Sequence, residues 1–194
     1  MEDNELITTE FDEPELRQIL DMAGSFLERG SVGETPQFAL VLGGVGTGKT
    51  TFRRQRFAEG YVHFDYGDVF TFVKHTIAVD NPKFVGTVSL VCQIILGTAL
   101  DEKKNIVIEL IGDTNSALKP ILDSMVERGY KISASGIECE PMEAYRRHLL
   151  AVKKDRDYLS SYYTQEGSLS ILYDVLELGP VPQIAEGTQT GEKE

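Results

Sequence analysis

The sequence predicts an α/β fold in which helices cover both faces of a parallel β-sheet. Short apolar runs typical of buried strands alternate along the chain with longer segments of helical periodicity. The first apolar run leads directly into a glycine-rich turn, and a later one, Asn105–Ile111, is almost continuously apolar. Because strands that alternate with helices are typical of parallel β-α-β units, we expect three layers, with the sheet in the middle.

The first half of the chain contains apolar runs and helical periodicities in alternation. They predict a helix at 14–29, a strand at Phe38–Leu42, a helix at Thr50–Ala58, a strand at Tyr61–Phe64 and helical segments at Val69–Val79 and Val85–Leu100. Pro14 suits the first turn of the first helix, and Gly30 ends that helix. The most apolar run, at 84–100, is slightly too short to span a membrane, so we expect a buried helix.

The second half continues the same alternation. It predicts a strand at Asn105–Ile111, a helix between Gly112 and Gly129, a strand at Tyr130–Ile137, a helix from Pro141 to about Ser160 and a last helix at Ser168–Leu178. Pro120 is tolerated in a helix only in the first turn, which leaves the start of its helix open. We expect a single domain at 14–178, between an acidic tail at 1–13 and a flexible tail at 179–194.

The charge of the chain restricts its partners. The 194 residues include 31 acidic and 19 basic side chains, a formal net charge of −12, and residues 1–16 alone hold seven acids and no base. An acidic protein lacks the positive field that attracts nucleic acid or anionic lipid, so we expect neither nucleic acid nor a membrane as a partner. Two cysteines, Cys92 and Cys139, and an N-terminus without an apolar stretch indicate a cytoplasmic protein.

A phosphate-binding pattern, G-x-x-x-x-G-K-[ST], follows the first strand. It reads Gly43-Gly44-Val45-Gly46-Thr47-Gly48-Lys49-Thr50, and Thr51 comes next. The N–H groups of such a loop and the following helix N-terminus surround an anion. Lys49 can reach the β- and γ-phosphates, and the Thr50 hydroxyl can hold Mg²⁺. We expect ATP or GTP with Mg²⁺ to bind here, although kinases, ATPases and GTPases all share this loop.

Acidic residues near the ends of two strands are candidates for the acceptor site. Asp65 and Asp68 follow the second strand, where residues of a parallel sheet line the ligand crevice. Asp68 could accept the proton of a substrate hydroxyl, or it could merely cap the next helix. Glu109 lies within an apolar run, where it needs a partner such as a Mg²⁺-bound water, a substrate hydroxyl or Lys49, unless it faces solvent at the strand end. Asp113 lies in the following loop and is a weaker candidate.

Two groups of basic residues are candidates for binding the transferred phosphoryl group. The first is on the helix after the loop and the second on the helix from Pro141: Arg53, Arg54 and Arg56; Arg146, Arg147, His148, Lys153, Lys154 and Arg156. A kinase needs such cations, often from a mobile lid, so Arg146 and Arg147 are candidate catalytic residues. The alternative is a solvated helix face. The three histidines lack metal-ligand spacing, so we do not expect a metal site built by the protein alone.

Between about residues 36 and 150, the order and spacing of these elements resemble the zeta toxins. The resemblance rests on four segments: Phe38–Thr51, Asp68-Val69-Phe70, Asn105–Gly112 and Arg128-Gly129-Tyr130. Zeta toxins are P-loop kinases of toxin–antitoxin systems that phosphorylate UDP-N-acetylglucosamine on its sugar. The resemblance therefore implies a P-loop kinase fold, a nucleotide-sugar acceptor and an antitoxin protein as partner.

The resemblance also implies roles for individual residues. Lys49 and Thr50 would bind the triphosphate and Mg²⁺, Asp68 would act as the base toward the sugar hydroxyl, and Glu109 would contact the amino-sugar. The family continues after that glutamate with Gly-Thr-Gly-Arg, whereas this chain has Leu110-Ile111-Gly112-Asp113. The substitution of arginine by Asp113 reverses the charge offered to an anionic diphosphate. The lid arginine of the family has no match in the same register, because Arg146 and Arg147 lie earlier.

These observations favour a Mg²⁺-dependent phosphotransferase of zeta-toxin type that acts on the hydroxyl of a small molecule. One alternative is a kinase of another acceptor, such as a nucleoside, a sugar or an antibiotic. A different class of protein is also compatible with the loop: a nucleotide-binding interaction module with little or no catalysis.

Overall fold

A parallel four-stranded sheet forms the centre of the computed structural model, which describes residues 11–111, 115–154 and 167–182. The strands are β1 (Gln37–Leu42), β2 (Val62–Phe64), β3 (Ile106–Leu110) and β4 (Lys131–Gly136). Their order across the sheet is β2-β3-β1-β4, and every neighbouring pair is parallel. The predicted α/β class with a parallel sheet is therefore confirmed.

Helices connect these strands and cover the sheet. They are α1 (Glu13–Leu27), α2 (Lys49–Arg56), α3 (Tyr66–Lys74), α4 (Phe84–Asp101), α5 (Asn115–Glu127), α6 (Pro141–Lys154) and α7 (Gly167–Val175). Each corresponds to a predicted helical segment, with ends that differ by up to five residues where both ends are described. The segment expected to continue α6 to about Ser160 lies beyond Lys154, outside the described residues, as do 1–10 of the expected acidic tail and 183–194 of the flexible one.

The prediction that Pro120 must lie in the first turn of its helix was wrong. Helix α5 begins at Asn115, so Pro120 lies in its second turn. There the missing N–H removes only the hydrogen bond to the carbonyl four residues earlier, close to the helix start. The helix therefore continues through the proline to Glu127.

The most apolar segment of the sequence forms the core helix α4. Nine of its residues are buried: Phe84, Thr87, Val88, Val91, Cys92, Ile95, Leu96, Ala99 and Leu100. It packs against α1, α3, α7 and β2. Among the described residues it is the one helix long and apolar enough to cross a membrane, and half of it is buried within the protein. The expected buried helix is confirmed.

The first helix is anchored to the domain. The Asp12 side chain accepts a hydrogen bond from the Glu15 N–H, and the Glu15 side chain accepts one from the Asp12 N–H, which is a capping box. Glu15 also lies 2.7 Å from the Lys83 ammonium, immediately before α4. Helix α1 packs on α4 and β2.

Candidate functional site

The carboxyl ends of three neighbouring strands bring the predicted site residues together. Gly43 directly follows β1, Glu109 is the second-last residue of β3, and Asp65 directly follows β2. Glu109 pairs in register with Val41 of β1. In open parallel sheets, ligands bind in the crevice beyond the carboxyl ends of the strands, which is where these residues meet.

The phosphate-binding loop turns sharply from β1 into α2. Gly48 has φ +102° and precedes the first helical residue, Lys49. Gly46 has φ +75°, and a Cβ atom there would lie 2.2 Å from the carbonyl oxygen of Ala144. Both positions therefore require glycine, the first for its backbone conformation and the second also because α6 lies against the loop.

Lys49 is nearly fully buried at the base of the loop, with 4% of its surface exposed. Its ammonium donates a hydrogen bond of 2.7 Å to the Gly44 carbonyl, which also accepts one from the Thr47 hydroxyl. Burial lowers the pKa of Lys49, while the nearby carboxylates Glu109 and Asp65 oppose that shift. The amine therefore lies at the loop, where a phosphate would replace the carbonyl as its partner.

Thr50 and Glu109 provide two hard oxygen atoms beside the loop. The Thr50 hydroxyl donates a hydrogen bond of 3.0 Å to Oε2 of Glu109. Two oxygen ligands on adjacent corners of a Mg²⁺ octahedron, with bonds of 2.0–2.1 Å, lie about 2.9 Å apart. The spacing and the ligand type both fit Mg²⁺ held by these residues together with phosphate oxygens. No group of three or more His, Cys, Asp or Glu side chains suited to a metal occurs in the described parts of the chain.

The direct partner of Glu109 is Arg53, which sequence analysis placed only in a basic cluster. Glu109 is 5% exposed, so it does not face solvent at the strand end. Nε of Arg53 lies 2.5 Å from Oε1 of Glu109, and one terminal nitrogen lies 2.6 Å from Oδ2 of Asp68. Burial opposes the charge of Arg53, but Glu109, Asp68 and Asp65 together raise its pKa. A fully buried guanidinium therefore fixes both acids relative to the P-loop helix.

The cap of α3 is Asp65 and not Asp68. The Asp65 carboxylate accepts a hydrogen bond of 2.9 Å from the Asp68 N–H. The Asp68 side chain points away from the helix end and toward the arginines of α2, since its second oxygen lies 2.9 Å from Arg54. The capping interpretation of Asp68 is therefore wrong, and its carboxylate is directed into the site.

Asp65 has an unusual proton affinity. Burial, together with the negative charges of Asp68 and Glu109, raises its pKa to about 7, although Arg53 acts in the opposite direction. Its position at the helix N-terminus and next to Lys49 keeps it within the electrostatic field of the phosphate site. Asp65 is thus a group that titrates near neutral pH beside Asp68.

Helix α6 brings one of the two candidate lid arginines to the loop. A terminal nitrogen of Arg147 would lie 3.6 Å from a Cβ atom at Gly48. Arg147 also contacts Glu143, at 2.8 Å. Arg146 instead forms two hydrogen bonds to Glu143, of 2.7 and 2.9 Å, on an exposed face. Hydrogen bonds from Arg146 and Arg147 lower the pKa of Glu143 to about 2.

The structure gives no position for two of the predicted residues. Asp113 and Arg156 lie in segments that the structure does not describe. Ile111, which stands where the zeta toxins have a threonine, is exposed at the end of β3. The signal that could have identified Arg53 is its spacing, because it follows Lys49 by one helical turn and so shares its face.

No protein-family model matches this sequence, and the search of curated proteins returned no match. Among solved structures, one from the PezAT chromosomal toxin–antitoxin system of Streptococcus pneumoniae is similar, with a TM-score of 0.54 and 16% identity. The similarity covers 84% of this chain and 75% of that chain. At the level of the fold, it confirms the resemblance that the motifs indicated.

Two structures of a Pnkp1/Rnl/Hen1 complex are more distant. In one, described as an RNA repair complex, the similarity covers 84% of this chain and 52% of that chain, at 17% identity and a TM-score of 0.46. In the other, it covers 60% of this chain and 40% of that chain, at 22% identity and a TM-score of 0.41. The architecture that this chain shares with the PezAT structure is thus a parallel sheet flanked by helices.

Proposed function

We propose that this protein is a Mg²⁺-dependent phosphotransferase that moves the γ-phosphoryl group of ATP or GTP to a hydroxyl of a small molecule. One observation carries the proposal: Arg53 joins Asp68 and Glu109 beside the P-loop residues Lys49 and Thr50. A simple nucleotide-binding loop needs no second carboxylate in that position. A kinase needs one, because the acceptor hydroxyl must be oriented toward the γ-phosphorus.

Each residue has a separate task in this scheme. The N–H groups of residues 43–51 and the Lys49 ammonium bind the phosphate oxygens. Thr50 and Glu109 would hold Mg²⁺, which neutralises developing charge on the phosphates when it is bound. Arg147 lies over the loop, where its guanidinium can stabilise the transferred group. Arg146, which is bound to Glu143, can hold that residue in place for Arg147.

Asp68 orients the acceptor and receives its proton. Phosphoryl transfer passes through a loose transition state, so positioning contributes more than strong basicity. The ion pairs with Arg53 and Arg54 fix the carboxylate in one orientation. Because both Glu109 oxygens are engaged by Thr50 and Arg53, Asp65 and Asp113 are the further candidates for contact with the acceptor, which would be a nucleotide sugar, a nucleoside, a sugar or an antibiotic.

A second candidate function is a nucleotide-binding interaction module without transfer. The observation that favours it is that both oxygens of Asp68 are already in ion pairs with arginines. In that case, Asp68 would only stabilise the packing of α3 on α2. The acidic N-terminus would then be a segment for binding a partner.

The test compares Asp68→Asn with Lys49→Ala in two assays. Protein, ATP and Mg²⁺ are incubated with a bacterial metabolite extract, and mass spectrometry detects species heavier by one phosphoryl group. If the protein is a kinase, Asp68→Asn abolishes the product and retains nucleotide binding, whereas Lys49→Ala loses both. Nucleotide binding without any product, in the wild type as well, would favour the interaction module.

We further propose that the protein is a cytoplasmic toxin with an antitoxin partner. The resemblance to zeta toxins supports this proposal, as does the shared fold with a structure from a toxin–antitoxin system. Induced expression in bacteria is expected to arrest growth with the wild-type chain and to leave growth normal with Lys49→Ala. Equal growth of both strains at equal expression would contradict toxicity.

A further inference from the structure

A pocket borders Asp68 beside the P-loop helix α2. Its volume is about 570 Å³, and it is bounded by the last turn of α1, by α2, by β2 and by α3. Pockets of about 300–1,000 Å³ are typical of small-molecule sites. None of the phosphate-binding-loop residues 43–51 lines it, but two other candidate site residues do, Asp68 and Arg54.

Asp68 connects the phosphate site to this pocket. Its Oδ2 atom faces the buried Arg53, which also holds Glu109. Its Oδ1 atom faces Arg54, which is exposed at the pocket. A hydroxyl that enters the pocket can therefore reach the Asp68 carboxylate.

The pocket is positively charged in a strongly acidic protein. Its fixed charges are the guanidiniums of Arg29 and Arg54 and the carboxylate of Asp68, so they sum to +1, whereas the whole chain carries −12. His63 and His75 also line it. Burial lowers the pKa of His63, and the charges of Arg53 and Arg29 lower it further. This concentration of basic groups favours an anionic ligand.

Two of these basic groups are available for a ligand. His63 is engaged, since its Nε2 atom lies 2.6 Å from the Phe57 carbonyl oxygen. Arg54 is engaged with Asp68. Within the parts of the chain that the structure describes, the Arg29 and His75 side chains form no hydrogen bond or ion pair. The Arg29 guanidinium is a cation and the His75 imidazole can donate a hydrogen bond, so the two groups together suit a phosphate.

Two aromatic rings form part of the pocket wall. The rings of Phe26 and Phe72 meet edge to face, with centroids 5.3 Å apart, and Phe72 is 40% exposed. An aromatic surface of this kind binds the flat or carbon-rich part of a small ligand. The pocket therefore presents a free cationic end, an apolar wall and the Asp68 carboxylate.

We propose that this pocket is the acceptor site and that the acceptor is a small phosphomonoester with a free hydroxyl. Its phosphate binds Arg29 and His75, and its hydroxyl reaches Asp68. The inference rests on the proposed function and places the acceptor between α1 and α3 instead of beside residues 109–113. In the transfer step, the acceptor oxygen bonds to the γ-phosphorus, the bond to the β,γ-bridging oxygen breaks, the electron pair leaves with the nucleoside diphosphate, and the hydroxyl proton passes to Asp68.

The first test measures binding alone, with phenyl phosphate as the probe and phenol as its uncharged counterpart. The full chain is saturated with MgADP so that the phosphate-binding loop is filled, and calorimetry records the affinity. Arg29→Gln is expected to weaken phenyl phosphate binding roughly tenfold. Arg17→Gln, on the same helix but paired with Glu13 on an exposed face, is expected to leave it unchanged. No binding by the wild type, or equal losses in both variants, would overturn the proposal.

The second test identifies the acceptor class. A metabolite extract is divided, and one half is treated with a phosphatase that is then removed. Transfer from ATP is expected only in the untreated half, and it is expected to be about tenfold slower with Arg29→Gln at low extract concentration. Product in the treated half, or product only when RNA is supplied, would overturn the proposal. If the wild type does not bind MgADP but binds phenyl phosphate more tightly than Arg29→Gln does, the proposed function is contradicted. The ligand class proposed for the pocket is then still supported.

Discussion

The Arg53 guanidinium lies 2.5 Å from the Glu109 carboxylate, although the two residues are 56 positions apart in the sequence. Arg53 is on the helix that begins at the P-loop lysine, and Glu109 is on the strand beside β1. The contact therefore fixes the position of α2 on the sheet and the position of an acid beside Thr50. Structural stability and site geometry depend here on the same ion pair.

Arg53→Met is expected to destabilise the fold strongly. It leaves Glu109 and Asp68 without their buried counter-charge, and breaking a buried ion pair from one side costs about 3–5 kcal/mol of unfolding free energy. The matched control is Arg54→Met, which removes an exposed guanidinium from the same helix and is expected to cost less than about 1 kcal/mol. Urea denaturation at pH 7 measures both. Similar losses of unfolding free energy in the two variants would show that the buried ion pair contributes no more to stability than the exposed one.

The parts of the fold that the sequence predicts well are those with a local signal. Strand β1 and strand β3 are buried on both faces, so each appears as an apolar run. The phosphate-binding loop is a contiguous pattern in which each residue has a chemical role. These features need no knowledge of distant contacts, and their positions are accordingly close to the predicted ones.

The parts that could not be predicted depend on contacts between distant segments. A buried Arg53 has the same local sequence as a solvated one, because its partners are on β3 and α3. Asp65 and Asp68 are three residues apart, and from the sequence either could be the N-cap of α3. Asp65 is the cap because β2 ends at Phe64, directly before it. The pocket that includes Arg29 exists because α1 packs beside β2, which periodicity alone does not show.

Gly46→Ala is expected to separate α6 from the phosphate-binding loop. The new Cβ atom would lie 2.2 Å from the Ala144 carbonyl, which is backbone and cannot rotate away, and φ is +75° at this position. We therefore expect lower stability, faster amide hydrogen exchange in α6 and weaker nucleotide binding. The control is Gly97→Ala within α4, where the added methyl meets open space. Gly97→Ala is expected to raise the free energy of unfolding by about 0.5–1 kcal/mol. A similar increase for Gly46→Ala would contradict the close approach of Gly46 to the Ala144 carbonyl.

Asp65 is expected to make stability fall as the pH rises from about 4 to about 7. Its pKa is raised in the folded state to about 7, so in this range the folded protein holds a proton that the unfolded chain has lost. Asp65→Asn keeps an N-cap acceptor for the Asp68 N–H but cannot titrate. Urea denaturation at several pH values is therefore expected to show a flatter profile for Asp65→Asn than for the wild type. Asp21 is exposed, so Asp21→Asn should keep the wild-type dependence of unfolding free energy on pH. The same dependence in Asp65→Asn would disprove the raised pKa of Asp65.

Thr50→Val is expected to abolish the effect of Mg²⁺ on nucleotide binding. The Thr50 hydroxyl and the Glu109 carboxylate are 3.0 Å apart, which fits two adjacent oxygen ligands of one Mg²⁺ ion. Valine has nearly the same shape but no ligand atom, so ADP should bind with equal affinity in Mg²⁺ and in EDTA. Thr50→Ser retains the hydroxyl and should retain the gain in affinity from Mg²⁺ that the wild type shows. Calorimetry measures the ADP affinity of the three proteins in Mg²⁺ and in EDTA. Among the described residues, no other hydroxyl contacts Glu109. If Mg²⁺ raises the ADP affinity of Thr50→Val as much as that of the wild type, the metal is bound elsewhere.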